Sequence, residues 1–194
     1  MLKLYVVRHG QSETNLAGVY CGWGQVSLTE KGFADAARAG QQLKGIAFEK
    51  VYASDLIRAI QTCQTALPGA EFEQTTLLRE VGVGSLLGMS RAEAMEKYGD
   101  LHKQRVSARD FTAYGGENTK MQFDRVAEFM ATLERSDVDG NVAVFCHEGT
   151  VKCMLGYVLQ TVIPWNRYLV DNGSVSVFCW DGNVWKLQSW NVTQ

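Results

Sequence analysis

The 194-residue sequence predicts an α/β fold, a three-layer α/β/α sandwich with a mixed, mostly parallel central sheet. Three short apolar segments, residues 3–7, 51–53 and 142–146, are each followed by a segment with apolar residues at helical spacing, the pattern of parallel strands joined by helices. Two further strands, residues 175–180 and 184–190, are joined by an Asp-Gly-Asn turn. They predict a terminal hairpin, which makes the sheet mixed.

The helices are predicted from their caps and apolar stripes. After a polar loop that contains several glycines, Thr29 is expected to begin the first long helix and Gly45 to end it. Ser54 or Asp55 is expected to cap the second, whose apolar stripe comprises Leu56, Ile60, Cys63 and Leu67. A third long helix follows the Gly-Gly pair at residues 115–116, and its apolar face comprises Phe123, Val126, Met130 and Leu133.

The middle of the chain is predicted to be less regular. A brief strand is expected near residues 72–76, and residues 78–88 contain three glycines without a clear period, which indicates an irregular loop. Ser90 is expected to begin a short helix, followed by a polar segment that indicates a lid. We therefore expect a single domain over residues 1–194 with a small lid insertion at about residues 90–114.

Composition and charge exclude several classes of partner. The net charge of −2 and the pI of about 5.9 give no electrostatic footprint for nucleic acid or an anionic membrane. No segment approaches the length of a transmembrane helix, and the N-terminus lacks the apolar core of a signal peptide. Five scattered cysteines without a CxxC pair indicate reduced thiols. We expect a cytoplasmic protein that binds a small molecule.

Polar residues follow the three predicted core strands. Arg8 and His9 follow the first strand, Arg58 lies one helical turn beyond the second, and His147 follows the third. Ligands bind at the carboxyl ends of parallel strands, and a helix N-terminus there favours an anion. Arginine offers a donor fork for phosphate or carboxylate, and histidine can act as a nucleophile or base. Each signal is weak by itself, and Arg58 alone would be interpreted as a solvated surface arginine.

A metal site is not predicted. The chain has only three histidines, and no HxH or HExxH spacing is present. Cys146 and His147 are neighbours at the end of a strand, so their side chains face opposite ways. We therefore expect neither a metal nor another cofactor.

The chain resembles branch 1 of the histidine phosphatase superfamily, the phosphoglycerate-mutase-like proteins. Its N-terminal segment RHGQSETN at residues 8–15 is similar to the family signature RHGxT/SxxN. Six further segments resemble family elements in the family's order: residues 27–32 (SLTEKG), 54–62 (SDLIRAIQT), 78–88, 115–117 (GGE), 146–149 (CHEG) and 172–174 (NGS). The resemblance covers nearly the whole chain and implies the family's fold.

The resemblance also implies roles for individual residues. His9 would be the nucleophile that becomes phosphohistidine, and Glu80 the general acid and then the base. The phosphoryl oxygens would be held by Arg8, Asn15, Arg58 and His147. Fixed cations suit a phosphoryl group in transfer, because negative charge spreads over its oxygens. A neutral nucleophile needs an acceptor for its other ring nitrogen, and a carboxylic acid with a raised pKa suits the leaving oxygen.

Three further residues are candidates for the site. Cys21 and Gly22 lie in a segment that resembles alpha-ribazole phosphatases and are candidate substrate contacts. Glu148 stands where the family usually has a small residue, and in the acid-phosphatase branch a carboxylate at that position donates the proton. Glu148 is therefore a rival to Glu80, although the N-terminal segment favours Glu80. We expect Glu148 to face away from the phosphate, which it would repel.

The sequence thus predicts a metal-independent phosphomonoesterase for a small phosphorylated metabolite. The first alternative is a phosphoglycerate mutase, although mutases of this family tend to have a longer insertion. The second is a non-catalytic phosphate-binding module. The lid cations Lys103, Arg105 and Arg109 are candidates to contact a second anionic group of the substrate. The oligomeric state, monomer or homodimer, is left undetermined by the sequence, because four tryptophans fit either the core or a dimer face: Trp165, Trp180, Trp185 and Trp190.

Overall fold

A computed structural model describes residues 1–194 and contains one six-stranded sheet with the strand order β3-β2-β4-β1-β5-β6. The strands are β1 (Leu2–Arg8), β2 (Lys50–Ser54), β3 (Glu73–Thr75), β4 (Gly140–Cys146), β5 (Val175–Trp180) and β6 (Trp185–Val192). Strands β1 to β4 are parallel in their pairings, whereas β5 runs antiparallel to both β1 and β6. The predicted mixed, mostly parallel sheet is confirmed.

Six α-helices accompany the sheet, and they are α1 (Glu13–Ala17), α2 (Glu30–Gln42), α3 (Ile57–Ala66), α4 (Arg91–Ala108), α5 (Thr119–Glu134) and α6 (Glu148–Leu159). Alternate residues of β1 face opposite sides of the sheet. Leu4 and Val6 pack in a core with residues of α5 and α6, while Val7 packs with residues of α2 and α3. The sheet therefore lies between two helical layers, as predicted.

The start of α3 differs from the prediction in its cap. The N-cap is Leu56 rather than Ser54 or Asp55, because the Asp55 carboxylate instead accepts a hydrogen bond from Arg79 Nε at 2.8 Å. The buried face of α3 also departs from the predicted stripe: it carries Arg58, whose exposed fraction is only 2%. The interpretation of Arg58 as a solvated surface arginine is therefore wrong.

Helix α4 is longer than the predicted short helix. Ser90 caps it as expected, but the helix kinks at Gly99 and continues to Ala108. Most of the segment expected to be an irregular lid is therefore helical. The full length of α4 was not predicted because only Ala94 and His102 are buried along it, so the helix has no continuous apolar stripe in the sequence. The single domain with a lid insertion stays a prediction.

The four C-terminal tryptophans contact the core. Trp185 is buried within it, and Trp165, Trp180 and Trp190 are partly buried and pack against it. No helix combines the length and the apolarity that spanning a membrane requires.

Candidate active site

His9 follows β1 and is held by backbone on two sides. Its N–H donates to the carbonyl of Cys146 at 2.9 Å, which joins it to the end of β4. Its ring Nδ1 lies 2.7 Å from the carbonyl oxygen of Gly10. A carbonyl can only accept, so Nδ1 carries the ring proton and Nε2 keeps its lone pair. The expected acceptor for the second ring nitrogen is thus present.

Both imidazoles at this sheet edge are buried, and their ring centroids lie 5.1 Å apart. Burial, followed by the charges of Arg58 and Arg8, lowers the pKa of His9 well below its usual range. Burial, Arg58, His9 and Arg8 lower the pKa of His147 in the same way. Both rings are therefore neutral at pH 7, and His9 is available as a nucleophile.

Arg58 is fixed by the loop after α1. Its two terminal nitrogens donate to the carbonyls of Gly22 and Gly24, each at 2.9 Å. Its Nε donates to His9 Nε2 at 3.3 Å. The predicted contact residue Gly22 therefore turns its carbonyl toward Arg58. Gly22 has φ 47°, and a Cβ at this position would lie 2.7 Å from the Val83 side chain, so other residues fit poorly there.

Cys21 lies in the same loop and is half-buried. Its thiol is 3.8 Å from the carbonyl oxygen of Gly24, the same oxygen that accepts from Arg58. Cys21 thus lies beside the arginine that contacts His9.

Arg8 has one donor without a partner. One terminal nitrogen donates to the carbonyl of Val170, and the other lies 3.7 Å from a Glu148 carboxylate oxygen. Its Nε is buried and has no acceptor in the protein. This N–H is a donor for an anion.

His147 also has a ring nitrogen without a partner. Its Nε2 is 2.8 Å from the hydroxyl oxygen of Ser54 at the end of β2, while its buried Nδ1 has no partner. The Ser54 oxygen also accepts from the Leu56 N–H at 3.4 Å. When the Ser54 hydroxyl donates its proton to Nε2, the ring proton of His147 lies on Nδ1, which is then a second unpaired donor.

Asn15 occupies the third position of α1. Its side-chain oxygen accepts from the Ser12 N–H at 3.1 Å and from the Ser12 hydroxyl at 3.0 Å, in a capping box. Asn172, which donates to the carbonyl of His9 at 2.9 Å, also lies 3.4 Å from that oxygen. Asn15 is therefore tied to the backbone of His9 through Asn172.

The carboxylate of Glu80 is held by hydrogen bonds from three residues, one of which lies close to His147 in the sequence. One carboxylate oxygen accepts from the Val81 N–H at 2.8 Å and from Gln122 at 2.9 Å. The other accepts from the Gly149 N–H at 3.0 Å, two residues beyond His147. Arg109 lies 3.8 Å from Glu80. The carboxylate is therefore oriented by three hydrogen bonds, only one of which falls on its second oxygen.

The expected raised pKa of Glu80 is wrong for the ligand-free protein. Burial acts to raise the pKa of Glu80, but the charge of Arg109 and the hydrogen bonds from Gly149, Val81 and Gln122 outweigh it, so the pKa is lowered. Glu80 is therefore ionised at neutral pH before a ligand binds.

Glu148, the first residue of α6, contacts two cations, and its expected orientation away from the phosphate stays a prediction. One carboxylate oxygen is 2.6 Å from the Lys152 ammonium, and the other is 3.7 Å from Arg8. These two cations offset its charge, which reduces the repulsion that motivated the expectation.

Several residues with contacts at the site were not predicted as site residues. Gln122 is fully buried on the apolar face of α5, and a polar residue at a core position is a signal that could have revealed it. Ser54 was predicted only as a helix cap and as part of a family-like segment, and Asn172 only as part of such a segment. Nothing in the sequence indicated that Trp165 lies at the site, although the guanidinium of Arg109 lies 3.7 Å from its ring centroid.

Comparisons with known proteins show the family of this chain. The family model described as histidine phosphatase superfamily (branch 1) matches residues 4–193. A 2,3-bisphosphoglycerate-dependent phosphoglycerate mutase of Brucella canis is 42% identical over 163 residues, covering 78% of this chain and 79% of the relative. Phosphoglycerate mutase 2 of Latilactobacillus sakei, also 2,3-bisphosphoglycerate-dependent, is 33% identical over 193 residues, covering 81% and 84%.

Among solved structures, a putative alpha-ribazole-5'-P phosphatase from Escherichia coli has a TM-score of 0.91 at 22% identity. The match covers 99% of this chain and 97% of that chain. At this identity the likeness shows a shared fold.

Proposed function

Because the chain belongs to the histidine phosphatase superfamily, branch 1, we propose that it is a metal-independent phosphomonoesterase acting on a small phosphorylated metabolite through a phosphohistidine intermediate. The observation that carries the proposal is the state of His9: a neutral ring whose unprotonated Nε2 accepts only a long hydrogen bond, at 3.3 Å, from the guanidinium of Arg58. Unpaired donors on Arg8 and His147 complete a positive, hydrogen-bonding pocket around that nitrogen.

In the first step, His9 Nε2 attacks phosphorus, the N–P bond forms and the ester P–O bond breaks. Arg8, Arg58 and His147 donate to the three phosphoryl oxygens, where negative charge spreads during transfer. The Gly10 carbonyl stabilises the Nδ1–H of the ring that becomes positively charged. In the second step, water attacks the phosphohistidine and releases inorganic phosphate.

Glu80 supplies the proton to the leaving oxygen. It is ionised in the free protein, but a bound phosphoryl dianion raises the pKa of a neighbouring carboxylate by like-charge repulsion. Substrate binding therefore favours proton uptake by Glu80. After the leaving group departs, the same carboxylate takes a proton from the attacking water.

Gly149→Ala is expected to displace Glu80. A Cβ at residue 149 would lie 2.1 Å from a Glu80 carboxylate oxygen and 2.6 Å from the Gln122 amide nitrogen, so both side chains must move. We expect kcat for p-nitrophenyl phosphate to fall at least about tenfold, as for a misplaced general acid. Gly156→Ala on the same helix, whose Cβ would meet nothing closer than 3.1 Å, is the matched control. Equal rates in the two variants would contradict this placement of Glu80.

A second candidate function is phosphoglycerate mutase, since the curated relatives described above carry that name. A mutase returns the phosphoryl group from histidine to substrate, whereas a phosphatase transfers it to water. The mutase and phosphatase activities are distinguished by incubating the protein with 3-phosphoglycerate and a catalytic amount of 2,3-bisphosphoglycerate. We expect release of inorganic phosphate from a panel of phosphorylated metabolites. Rapid formation of 2-phosphoglycerate with little hydrolysis would reverse the assignment, and phosphate binding without any turnover would indicate a binding module.

A further inference from the structure

We propose that Arg109 couples recognition of the substrate to proton transfer: an anionic group on the leaving group neutralises Arg109, and Glu80 then takes up the proton that it delivers. The inference rests on the proposed function, because it assumes that Glu80 serves the leaving oxygen. It assigns to the substrate a second anionic group, located on the part of the molecule that departs from phosphorus.

The guanidinium of Arg109 has no hydrogen-bond acceptor within the protein. Its side chain is only 22% exposed, yet it donates no hydrogen bond to any protein acceptor, and its buried Nε is unpaired. Its contact with Glu80 at 3.8 Å is longer than a hydrogen bond. A largely buried guanidinium without protein acceptors is costly, so an anion that binds to it is stabilised more than at an arginine whose donors are already paired.

The backbone and the indole of Trp165 hold Arg109 in this position. Arg109 ends α4 in the left-handed conformation at φ 51°, which is uncommon for a residue with a side chain. The guanidinium carbon lies 3.7 Å from the centroid of the Trp165 ring, a close cation–π contact. The planar donor fork is thus set for a planar acceptor, and a carboxylate fits it best.

The position of Arg109 relative to Glu80 places the second anion. A proton donor must lie within hydrogen-bond reach of the leaving oxygen. Because Arg109 is 3.8 Å from the Glu80 carboxylate, it faces the atoms that follow this oxygen in the leaving group. The other two lid cations are excluded: Lys103 is exposed with no polar contact, and Arg105 pairs with Asp110 at 3.1 Å.

Arg109 is the neighbour of Glu80 whose charge can be cancelled by a ligand group other than the phosphoryl group. On α5, Arg125 donates to the Glu80 carbonyl but is paired with Glu117 at 2.8 Å. On α3, Arg58 contacts His9 and two backbone carbonyls, and in the proposed mechanism it binds the phosphoryl group that every substrate carries.

The remaining titratable groups near Glu80 are thiols. Burial raises the pKa of Cys153 on α6 to about 12 and that of Cys146 on β4 further, so both stay neutral. The hydrogen bonds from Val81, Gln122 and Gly149 come from fixed, uncharged groups. Beyond the repulsion that any bound phosphoryl dianion exerts, the charge balance at Glu80 is therefore controlled through Arg109.

The test measures proton uptake during binding of two phosphonates that cannot be hydrolysed. The ligands 4-phosphonobutanoate and 4-hydroxybutylphosphonate differ only in a carboxylate against a hydroxymethyl group. Calorimetric titrations in buffers of different ionisation enthalpy, at about pH 6, above the ordinary pKa of a carboxylic acid, give the protons bound per ligand. We expect the protein to take up about half a proton more when it binds 4-phosphonobutanoate than when it binds 4-hydroxybutylphosphonate. We also expect 4-phosphonobutanoate to bind at least about tenfold more tightly, as for a charged hydrogen bond.

Arg109→Met and Glu80→Gln are each expected to abolish the difference in proton uptake, and Arg109→Met also the difference in affinity. Lys103→Met, which removes an exposed cation from the same helix, is the matched control and should keep both differences. Equal proton uptake from the two ligands in the wild-type protein overturns the inference without any variant having to fold. A difference that persists in Arg109→Met, or binding of neither ligand, overturns it as well. Hydrolysis of p-nitrophenyl phosphate is measured in parallel, and its absence in the wild-type protein counts against the proposed function instead.

Discussion

His9→Ala is expected to reduce the hydrolysis of p-nitrophenyl phosphate by at least roughly 10,000-fold, the scale seen when a covalent nucleophile is removed. No other group at the site can replace it. The Nε2 of His147 faces the Ser54 hydroxyl, and its Nδ1 carries the proton in the hydrogen-bond pattern described above. The rate should be measured for both proteins in excess EDTA.

His102→Gln is the matched control for His9→Ala. His102 is the third histidine and is also buried, but its ring nitrogens face the hydroxyls of Tyr20 and Tyr114. We expect its variant to retain hydrolysis within about tenfold, with any defect visible in thermal unfolding. Substantial activity in His9→Ala would contradict a phosphohistidine mechanism. Loss of wild-type activity in EDTA would instead indicate a metal-dependent enzyme.

Most of the sheet could be predicted because its signals are local. The apolar segments that became β1 and β4 are bounded by polar or glycine residues, and the Asp-Gly-Asn turn specified the final hairpin. Parallel pairing of β1 with β4 then brings Arg8 next to Cys146, in register, and His9 next to His147 along the same edge. The convergence of the two histidines was therefore predictable from strand order and direction alone.

The buried state of Arg58 could not be predicted in this way. Its acceptors are the carbonyls of Gly22 and Gly24, more than thirty residues earlier in the chain, and nothing in the local sequence indicates that this loop folds over α3. Burial of an arginine requires such distant partners, and a helical period cannot supply them. The family resemblance, rather than the periodicity, pointed to Arg58 as a site residue.

The direction of the pKa shift of Glu80 could not be predicted either, because it also depends on residues distant in the chain. The sequence placed Glu80 in an irregular loop, and its implied role as a general acid led to the expectation of a raised pKa. Burial does act in that direction, but Arg109 from the end of α4 and Gln122 from α5 help to reverse it. The sign of a pKa shift depends on which elements meet at the carboxylate, and the chain order does not reveal that meeting.

The second large effect is expected at Glu80 and separates it from its rival. Glu80→Gln keeps the hydrogen-bonding oxygen but cannot carry the transferable proton, so kcat/KM for an alkyl phosphate should fall by about 100- to 10,000-fold. The loss should be smaller for p-nitrophenyl phosphate, because its leaving group is stable as an anion and depends less on protonation. This dependence on the leaving group distinguishes a missing acid from a general loss of structure.

Glu148→Gln is the matched substitution on the second candidate acid. Because the Glu148 carboxylate contacts Lys152 and Arg8 rather than a group placed to receive the leaving oxygen, we expect similar losses for both substrates, within about tenfold. The buried Lys152 ammonium loses its ionised partner, so this variant should melt at a lower temperature. The comparison decides the proton donor in either direction. If Glu148→Gln alone showed a loss that grows with the basicity of the leaving group, the proton would come from the start of α6, and Glu80 would serve only to hold Gly149 and Gln122 in place.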